Sequence, residues 1–183
     1  DQVFAYFDKK AFAAASLGQV HRARLHSGEE VAVKIQYPNI AHTIQSDMRN
    51  LRLFIQPMRF SDEWSELNEK LADMEQMFLA ETDYIKEGIN YQQARKLFLT
   101  DEQIVVPSVF SKFSSKRVLT TEYLPGVHLE QFLNAKPKQE EINKQCQLLT
   151  IAMLRLYYRK RWYFSDPHPG NYIFMTDGSL GII

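Results

Sequence analysis

Apolar positions in this chain follow two periods, one typical of strands and one typical of helices. Residues 3–7 and 19–25 alternate as half-buried strands do, and Ser27-Gly28 predicts a turn after the second of them. Residues 30–35, Glu-Val-Ala-Val-Lys-Ile, form a nearly continuous β-branched run, which is typical of a strand in a covered sheet. The first part of the chain therefore predicts a strand-rich unit that contains a hairpin.

Helical spacing begins after Pro38. The segments that show it are residues 39–55, two stretches between residues 61 and 99 with Ser61 as the predicted N-cap, residues 129–133 and residues 140–162. Residues 107–113 and 116–123 predict a strand pair, and residues 172–175 predict a further short strand. Because strands come early and helices late, we predict an α+β fold of two lobes. The N-lobe would take residues 1–122, and residues 123–183 would form the lobe junction and the start of a helical C-lobe.

Composition limits the classes of partner. The 183 residues carry 22 basic and 22 acidic side chains, so no general attraction to nucleic acids is expected. Cys146 is the only cysteine, which excludes an internal disulfide and favours a reducing compartment. No apolar run reaches the roughly 20 residues of a membrane span. The chain does not begin with Met, so we expect a piece of a longer protein.

The loop Asp166-Pro-His-Pro-Gly-Asn171 is the strongest local signal for chemistry. It follows a long helical pattern and precedes a short strand, and it places a carboxamide five positions after a carboxylate. In phosphoryl-transfer sites with this layout, the Asp orients or deprotonates the acceptor and the Asn binds magnesium. An ordinary proline-rich turn beside an acid is the alternative, so this interpretation depends on support from other segments.

Lys34 is the candidate phosphate ligand. It ends the run Val-Ala-Val-Lys, and kinase-type sites place a lysine on such a strand to contact the α- and β-phosphates of ATP. A solvent-facing edge lysine is the alternative. Such a lysine needs a glutamate partner, for which Glu87 is the first choice and Glu81 the second. Asp83 shares a helix face with Glu87 at i,i+4. Glu81 and Asp83 are interpreted as a candidate regulatory acidic pair, with a solvated acidic face as the alternative.

Two further segments are candidates for nucleotide binding. The first, Ala13-Ala14-Ala15-Ser16-Leu17-Gly18-Gln19-Val20, has the spacing of a glycine-rich phosphate loop with alanine at the first two glycine positions. Because alanine restricts backbone approach, we expect a less open phosphate cradle; an Ala-rich turn or partial helix is the alternative. The second comprises Glu122, Tyr123 and Leu124, whose backbone groups are candidates for binding an adenine edge. His128 and His168 are interpreted as structural or solvated.

Together these segments resemble the UbiB family of atypical kinases, also called the ADCK family. The resemblance covers most of the chain in collinear order. Its most specific parts are the Ala-rich loop and the segment Glu81-x-Asp83-Tyr84, followed by Glu87 and Asn90. It implies a protein-kinase-like fold, binding of ATP or ADP with Mg²⁺, and involvement in ubiquinone or other prenyl-quinone biosynthesis. By this resemblance Lys34 contacts phosphates, Asp166 occupies the catalytic-base position and Asn171 the metal position.

The same resemblance implies partners and missing parts. The expected partners are the nucleotide, a prenyl-quinone precursor or other lipid, and quinone-biosynthesis proteins. Membrane association would be peripheral or would use segments outside these residues. The compartment stays open between a bacterial cytoplasm or inner-membrane face, a mitochondrial matrix and a plastid. A K-x-G-Q motif is expected before Asp1 and a D-F-G motif after Ile183. Without the D-F-G carboxylate, we expect the 183 residues alone to bind Mg-nucleotide poorly and to turn over little.

Two other functions remain as alternatives. A small-molecule phosphotransferase, such as an antibiotic or choline kinase, has a catalytic loop similar to Asp-x-His-Pro-Gly-Asn. A nucleotide-binding pseudokinase would present a lipid or a partner and transfer nothing. The alanines of residues 13–15 keep the pseudokinase in consideration, because they alter the phosphate cradle.

Overall fold

A computed structural model describes residues 2–101, 103–162 and 168–183. The strands are β1 (Phe4–Phe7), β2 (Ala13–Ala15), β3 (Gly18–Leu25), β4 (Glu30–Gln36), β5 (Ile104–Val105), β6 (Val118–Glu122), β7 (Gly126–Val127), β8 (Tyr172–Met175) and β9 (Leu180–Ile182). The α-helices are α1 (Ile40–Ile55), α2 (Trp64–Ala80), α3 (Tyr84–Phe98), α4 (Leu129–Asn134) and α5 (Gln139–Lys160). Short 3₁₀ turns span Gln56–Phe60, Ser111–Phe113 and Pro169–Asn171.

The first sheet is antiparallel and contains β1, β2, β3, β4 and β6. The first half of β3 pairs with β2 and its second half with β1, while β4 pairs with β3 on one side and β6 on the other. Alternate residues of β3 and β4 point into one core, which contains Ala23, Leu25, Val31 and Val33. Because side chains alternate along a strand, Ala32 and Lys34 occupy the opposite face of β4.

The second sheet has the order β5-β9-β8-β7. The β5–β9 pair is parallel, and the other pairs are antiparallel. The core beside it is formed by α5, the end of α3 and the sheet itself, and comprises Phe98, Ile104, Val106, Leu148, Ala152, Leu156, Tyr172, Leu180 and Ile182. Strand β5 therefore joins the second sheet, although its residues fall within the range 1–122 that the sequence assigns to the N-lobe.

Helices α1 and α2 form a hairpin through the Gln56–Phe60 turn. They contact each other, and an Arg52–Glu75 ion pair of 2.7 Å joins them. Their apolar rows are only partly covered, since Leu71 is the one buried residue of the two helices in the described part of the chain. No helix among residues 2–101, 103–162 and 168–183 is long and apolar enough to cross a membrane.

The predicted strand pair at residues 107–113 and 116–123 is only half present. The second member is β6, but the first is an extended segment with a single bridge, from Val109 to Thr121, that then turns into the Ser111–Phe113 3₁₀ turn. The Ser114 hydroxyl donates to Phe110 O and accepts from Thr120 N, so a side chain takes the place of ladder hydrogen bonds. Local side-chain bonds of this kind compete with strand pairing.

The prediction that Ser61 is a helix N-cap is wrong. Helix α2 begins at Trp64 with Glu63 at the N-cap position. Ser61 instead ends the preceding 3₁₀ turn through a bond from its N–H to Met58 O. Its hydroxyl is buried and has no hydrogen-bond partner within the described residues. Ser61 therefore caps the C-terminal end of the Gln56–Phe60 turn and not the N-terminal end of α2.

Candidate functional site

Lys34 faces the interior of the molecule from the centre of the first sheet. Strand β4 holds it between Val20 of β3 and Leu119 of β6. Its Nζ donates a 2.8 Å hydrogen bond to Oε1 of Glu87, and the two side chains are 25% and 27% exposed. The solvent-facing alternative for Lys34 is therefore wrong, and Glu87, the first choice of partner, contacts it.

The start of α3 explains why Glu87 reaches Lys34. Asp83 is the N-cap of this helix, and its Oδ1 accepts hydrogen bonds from the N–H groups of Ile85 and Lys86. Asp83 therefore lies at the helix end with non-helical dihedral angles, and the predicted i,i+4 stacking of Asp83 on Glu87 along one helix face is wrong. The observed contacts make Asp83 a cap. A regulatory role for Glu81 and Asp83 stays a prediction.

The Ala-rich segment forms a strand and a tight turn, so a partial helix is excluded. Ala13, Ala14 and Ala15 pair with Val20, Gln19 and Gly18. The turn between them contains Ser16. Gly18 is required by space: a Cβ there would lie 2.1 Å from the carbonyl oxygen of Ile35. The β2–β3 hairpin tip therefore packs against β4, where Gly18 pairs with Gln36.

A cavity of about 600 Å³ lies between the two sheets. Of the predicted site residues, those that line it are Ala13, Ala14, Ala15, Ser16, Val20, Lys34, Glu87, Glu122, Tyr123, Leu124 and Asn171. Residues that were not predicted as site residues also line it: Phe12, Ala32, Tyr91, Leu119, Thr121, His128, His168, Gly170, Ile173 and Ile183. Ala32 and Tyr91 carry a periodic signal, because they lie two residues before Lys34 on its strand and four after Glu87 on its helix.

Tyr91 is a polar lining residue of the cavity that stays uncharged. Burial raises the pKa of the Tyr91 hydroxyl far above its ordinary value, and the nearby Glu87 carboxylate raises it further. Lys34 and Glu87 are charged lining residues, and Tyr91 adds a neutral phenol to the same cavity.

In the segment of residues 122–124, the predicted lobe junction, two N–H groups are already hydrogen-bonded within the protein. The N–H of Tyr123 donates to Glu30 O, and the N–H of Glu122 donates to Ser108 O. These two donors are therefore committed within the protein. The Tyr123 ring is held by Arg22, whose guanidinium carbon lies 4.4 Å from the ring centroid, and by the edge of Phe12 at 5.9 Å between centroids. Together Phe12 and Tyr123 form an aromatic rim at this side of the cavity.

The loop of residues 166–171 is described only from His168 onward, and Asp166 lies outside the described residues. The N–H of Gly170 donates to Nδ1 of His168 over 3.0 Å, and the N–H of Asn171 donates to the His168 carbonyl. The Asn171 carbonyl accepts from the N–H of Ile183. Asn171 is therefore fixed between the loop and the end of β9. His168 and His128 both line the cavity, and His168 is exposed. Their interpretation as structural or solvated residues stays a prediction.

At this loop the Asn171 carboxamide carries an oxygen of the kind that binds Mg²⁺. Carboxamide oxygens and phosphate oxygens suit Mg²⁺, which usually takes one or two protein ligands and completes its shell with phosphate and water. The described residues contain no group of three or more His, Cys, Asp or Glu side chains that could hold a metal ion.

Comparison with known proteins assigns this arrangement to a family. The model of the ABC1 atypical kinase-like domain matches residues 1–183. The chain belongs to this family. Its resemblance to UbiB/ADCK proteins and its kinase-like α+β fold are thereby confirmed.

Several family members are similar over nearly the whole chain. The mitochondrial atypical kinase COQ8 of Schizosaccharomyces pombe is 36% identical over 172 residues, which cover 93% of this chain and 28% of that protein. The chloroplastic Protein ACTIVITY OF BC1 COMPLEX KINASE 7 of Arabidopsis thaliana is 33% identical over 183 residues, or 97% of this chain and 26% of that protein. The chain thus spans about a quarter to a third of the length of these relatives.

A solved structure shares the fold. Rv3197 from Mycobacterium tuberculosis, determined as a complex with erythromycin, matches with a TM-score of 0.80 and 29% sequence identity. The match covers 98% of this chain and 45% of that one.

Proposed function

We propose that these residues form the nucleotide-binding part of an atypical kinase or ATPase that binds ATP or ADP together with Mg²⁺. The observation that carries the proposal is the Lys34–Glu87 pair, 2.8 Å apart on the wall of a cavity of about 600 Å³. The Ala-rich hairpin lines one side of this cavity and Asn171 the other. A phosphate-sized anion with a metal ion suits the charges between them.

Each residue has a separate part in this proposal. Lys34 neutralises phosphate oxygens, and Glu87 holds the ammonium in place. Asn171 binds Mg²⁺, which would supply positive charge to the phosphate oxygens. Asp166 orients or deprotonates the acceptor, or the attacking water in an ATPase. The roles of Asn171 and Asp166 follow from their positions in the D-x-x-x-x-N loop.

The aromatic rim suggests how the base is held. Phe12 and Tyr123 provide apolar surface along the lining of the cavity, and the buried Leu124 adds to it. A purine ring can bury its faces against such side chains, while main-chain groups of the junction other than the Glu122 and Tyr123 amides bind its edge.

A second candidate is a nucleotide-binding module without transfer. It is favoured by the alanine side chains at positions 13–15, which stand in the hairpin where a glycine-rich loop would leave room for phosphate. Under this proposal, nucleotide binding would control the presentation of a lipid or partner.

We further propose that the complete protein supports ubiquinone or another prenyl-quinone pathway. The support comes from the family membership and from relatives named as COQ8 kinases. A prenyl-quinone precursor or another lipid, together with quinone-biosynthesis proteins, would then be the partners.

Hydrolysis of Mg-ATP by the full natural protein tests the activity. We expect phosphate release that depends on Mg²⁺ and that falls by at least about a hundredfold in Asp166→Asn, with nucleotide affinity retained. Binding measured by calorimetry separates the two candidates. Binding without turnover in the wild type would favour the module, and absence of both binding and turnover would overturn the proposed function.

A further inference from the structure

Lys34 is held by two groups, of which the glutamate is only one. Its Nζ also lies 4.8 Å from the centroid of the Tyr84 ring. Tyr84 is 1% exposed and is not part of the cavity wall, so it does not contact a bound nucleotide directly. We infer that Tyr84 is a positioning residue, whose ring holds the ammonium of Lys34 by a cation–π contact and presents it to the phosphates.

The position of Tyr84 on its helix supports this inference. Tyr84 is the first residue of α3 and Glu87 lies three residues later, so both project from the same face of the first turn. Asp83 caps the same turn. The N–H of Tyr84 also donates to Lys116 O, which fixes the helix start beside β6. One capped turn therefore brings a carboxylate and an aromatic face to the same ammonium.

The net charge around Lys34 distinguishes an aromatic partner from a second acidic one. Glu87 alone already compensates the single positive charge of Lys34. A second carboxylate would leave a net negative charge and would repel phosphate. An aromatic face attracts the ammonium through its quadrupole and carries no net charge. The ring thus restricts a flexible side chain without neutralising it further.

The Tyr84 hydroxyl does not explain why this residue is tyrosine. It is buried and has no hydrogen-bond partner within the described residues. Burial raises the pKa of this hydroxyl far above its ordinary value, and the carboxylates of Glu87 and Glu81 raise it further, so the phenol stays neutral. The function that we infer belongs to the ring. A Tyr84→Phe variant, which keeps the ring, is therefore expected to keep that function.

The inference rests on the proposed phosphate-binding role of Lys34, and its test separates the two. In the full protein we would compare Tyr84→Phe, Tyr84→Leu and the control Val33→Ala, a buried position on the opposite face of β4. Affinity for a fluorescent ADP with Mg²⁺ is expected to stay within about twofold for Tyr84→Phe. It is expected to fall about three- to tenfold for Tyr84→Leu. Val33→Ala should lose thermal stability but keep its affinity.

A second series keeps the test decisive where Tyr84→Leu fails to fold. Phenylalanine at position 84 would be replaced by di- and trifluorinated phenylalanine, which keep the ring size but weaken its attraction for cations. A stepwise loss of affinity supports the inference. Equal affinities across the series, or equal losses in Tyr84→Leu and Val33→Ala, would overturn it.

A measurement without nucleotide completes the design. The Lys34 Cε protons should show an upfield ring-current shift by NMR in the wild type and in Tyr84→Phe, and lose it in Tyr84→Leu. If the wild type binds no nucleotide but shows this shift, the proposed function fails and the contact stands. If the shift is absent, the inference fails whatever the nucleotide does.

Discussion

Lys34 and Glu87 are 53 residues apart in sequence and in direct contact in the fold. The contact forms only when α3 lies against the first sheet. Gly88, the next residue, allows this close approach: a Cβ there would lie 3.3 Å from Cδ1 of Leu119 and 3.4 Å from Cγ1 of Val109. Both charged side chains are about one quarter exposed, so solvent screening limits their contribution to stability to about 1 kcal/mol. We therefore expect the pair to act mainly by positioning the Lys34 ammonium, with little effect on stability.

Glu87→Gln tests this separation between stability and function. We expect the free energy of unfolding to change by less than about 1 kcal/mol, while affinity for Mg-ADP falls about fivefold or more because the ammonium loses its anchor. The loss should be non-additive with Lys34→Met, since either change removes the same contact. Denaturant unfolding and calorimetry on the four variants of the cycle measure both quantities.

Glu75→Gln is the matched control. It breaks the Arg52–Glu75 ion pair in the α1–α2 hairpin, whose residues do not line the cavity. Nucleotide affinity should not change there. Additive losses at Lys34 and Glu87, or an unchanged affinity in Glu87→Gln, would contradict the pairing as a functional contact.

These site residues differ in how well they could be predicted from the sequence. Lys34 could be predicted because the β-branched run around it identifies a strand and a face. Glu87 and Glu81 could not be ranked securely, because their directions depend on where α3 begins. The Asp83 cap fixes that start, and it is a signal that the sequence does carry. Phe12 carries no such signal, since it reaches the cavity only through the pairing of β2 with β3.

At the scale of elements, the Ala-rich hairpin depends on how closely β3 passes β4. Gly18 pairs with both Ala15 and Gln36. We expect Gly18→Ala to destabilise the protein by about 2–3 kcal/mol, because its Cβ would meet the backbone oxygen of Ile35 at 2.1 Å. The strands must separate beside Lys34, so nucleotide affinity should fall as well. Thermal unfolding and ligand binding measure the two effects.

Gly28→Ala is the control for this hairpin. Gly28 has a φ of +103°, and no atom lies within 4 Å of the point where a Cβ would stand. Alanine there costs stability through backbone strain alone, about 1 kcal/mol, at a turn away from the cavity. Its nucleotide affinity should match the wild type. Equal affinities for the two alanine variants would show that the hairpin tip does not set the phosphate site.

Element prediction succeeded where one signal dominated and failed where two competed. Strand β4 and helix α5 were predicted close to their observed bounds, because their apolar periods continue without interruption. Ser61 was a good cap by residue type, but the 3₁₀ turn before it used the residue first. Strand β5 was missed because it is only Ile104–Val105 and pairs with β9, about 75 residues later.

At the scale of the whole molecule, Asp101 links the end of α3 to α5. Its Oδ1 accepts hydrogen bonds from the N–H groups of Gln103 and Ile104, and its Oδ2 lies 2.7 Å from Nη1 of Arg155. The Arg155 guanidinium also lies over the Phe98 ring of the second core. Asp101 and Arg155 therefore connect the turn between α3 and β5 to helix α5.

The pKa of Asp101 predicts how this link responds to acid. Burial acts to raise the pKa of the Asp101 carboxyl, but the two backbone N–H groups and Arg155 outweigh burial and lower it. A group with a lowered folded-state pKa contributes stability above its ordinary pKa, near 4, and loses that contribution as the pH falls through the folded-state value. Asp101→Asn should therefore cost about 1–3 kcal/mol at pH 7, and the difference from the wild type should shrink below about pH 4. Urea unfolding from pH 7 to pH 3 measures this difference in the free energy of unfolding.

Glu66→Gln is the control. It removes an exposed ion pair with Lys70 and should change the free energy of unfolding by less than about 0.5 kcal/mol at pH 7. A difference between Asp101→Asn and the wild type that persists unchanged at pH 3 would show that shape, rather than charge, makes the link.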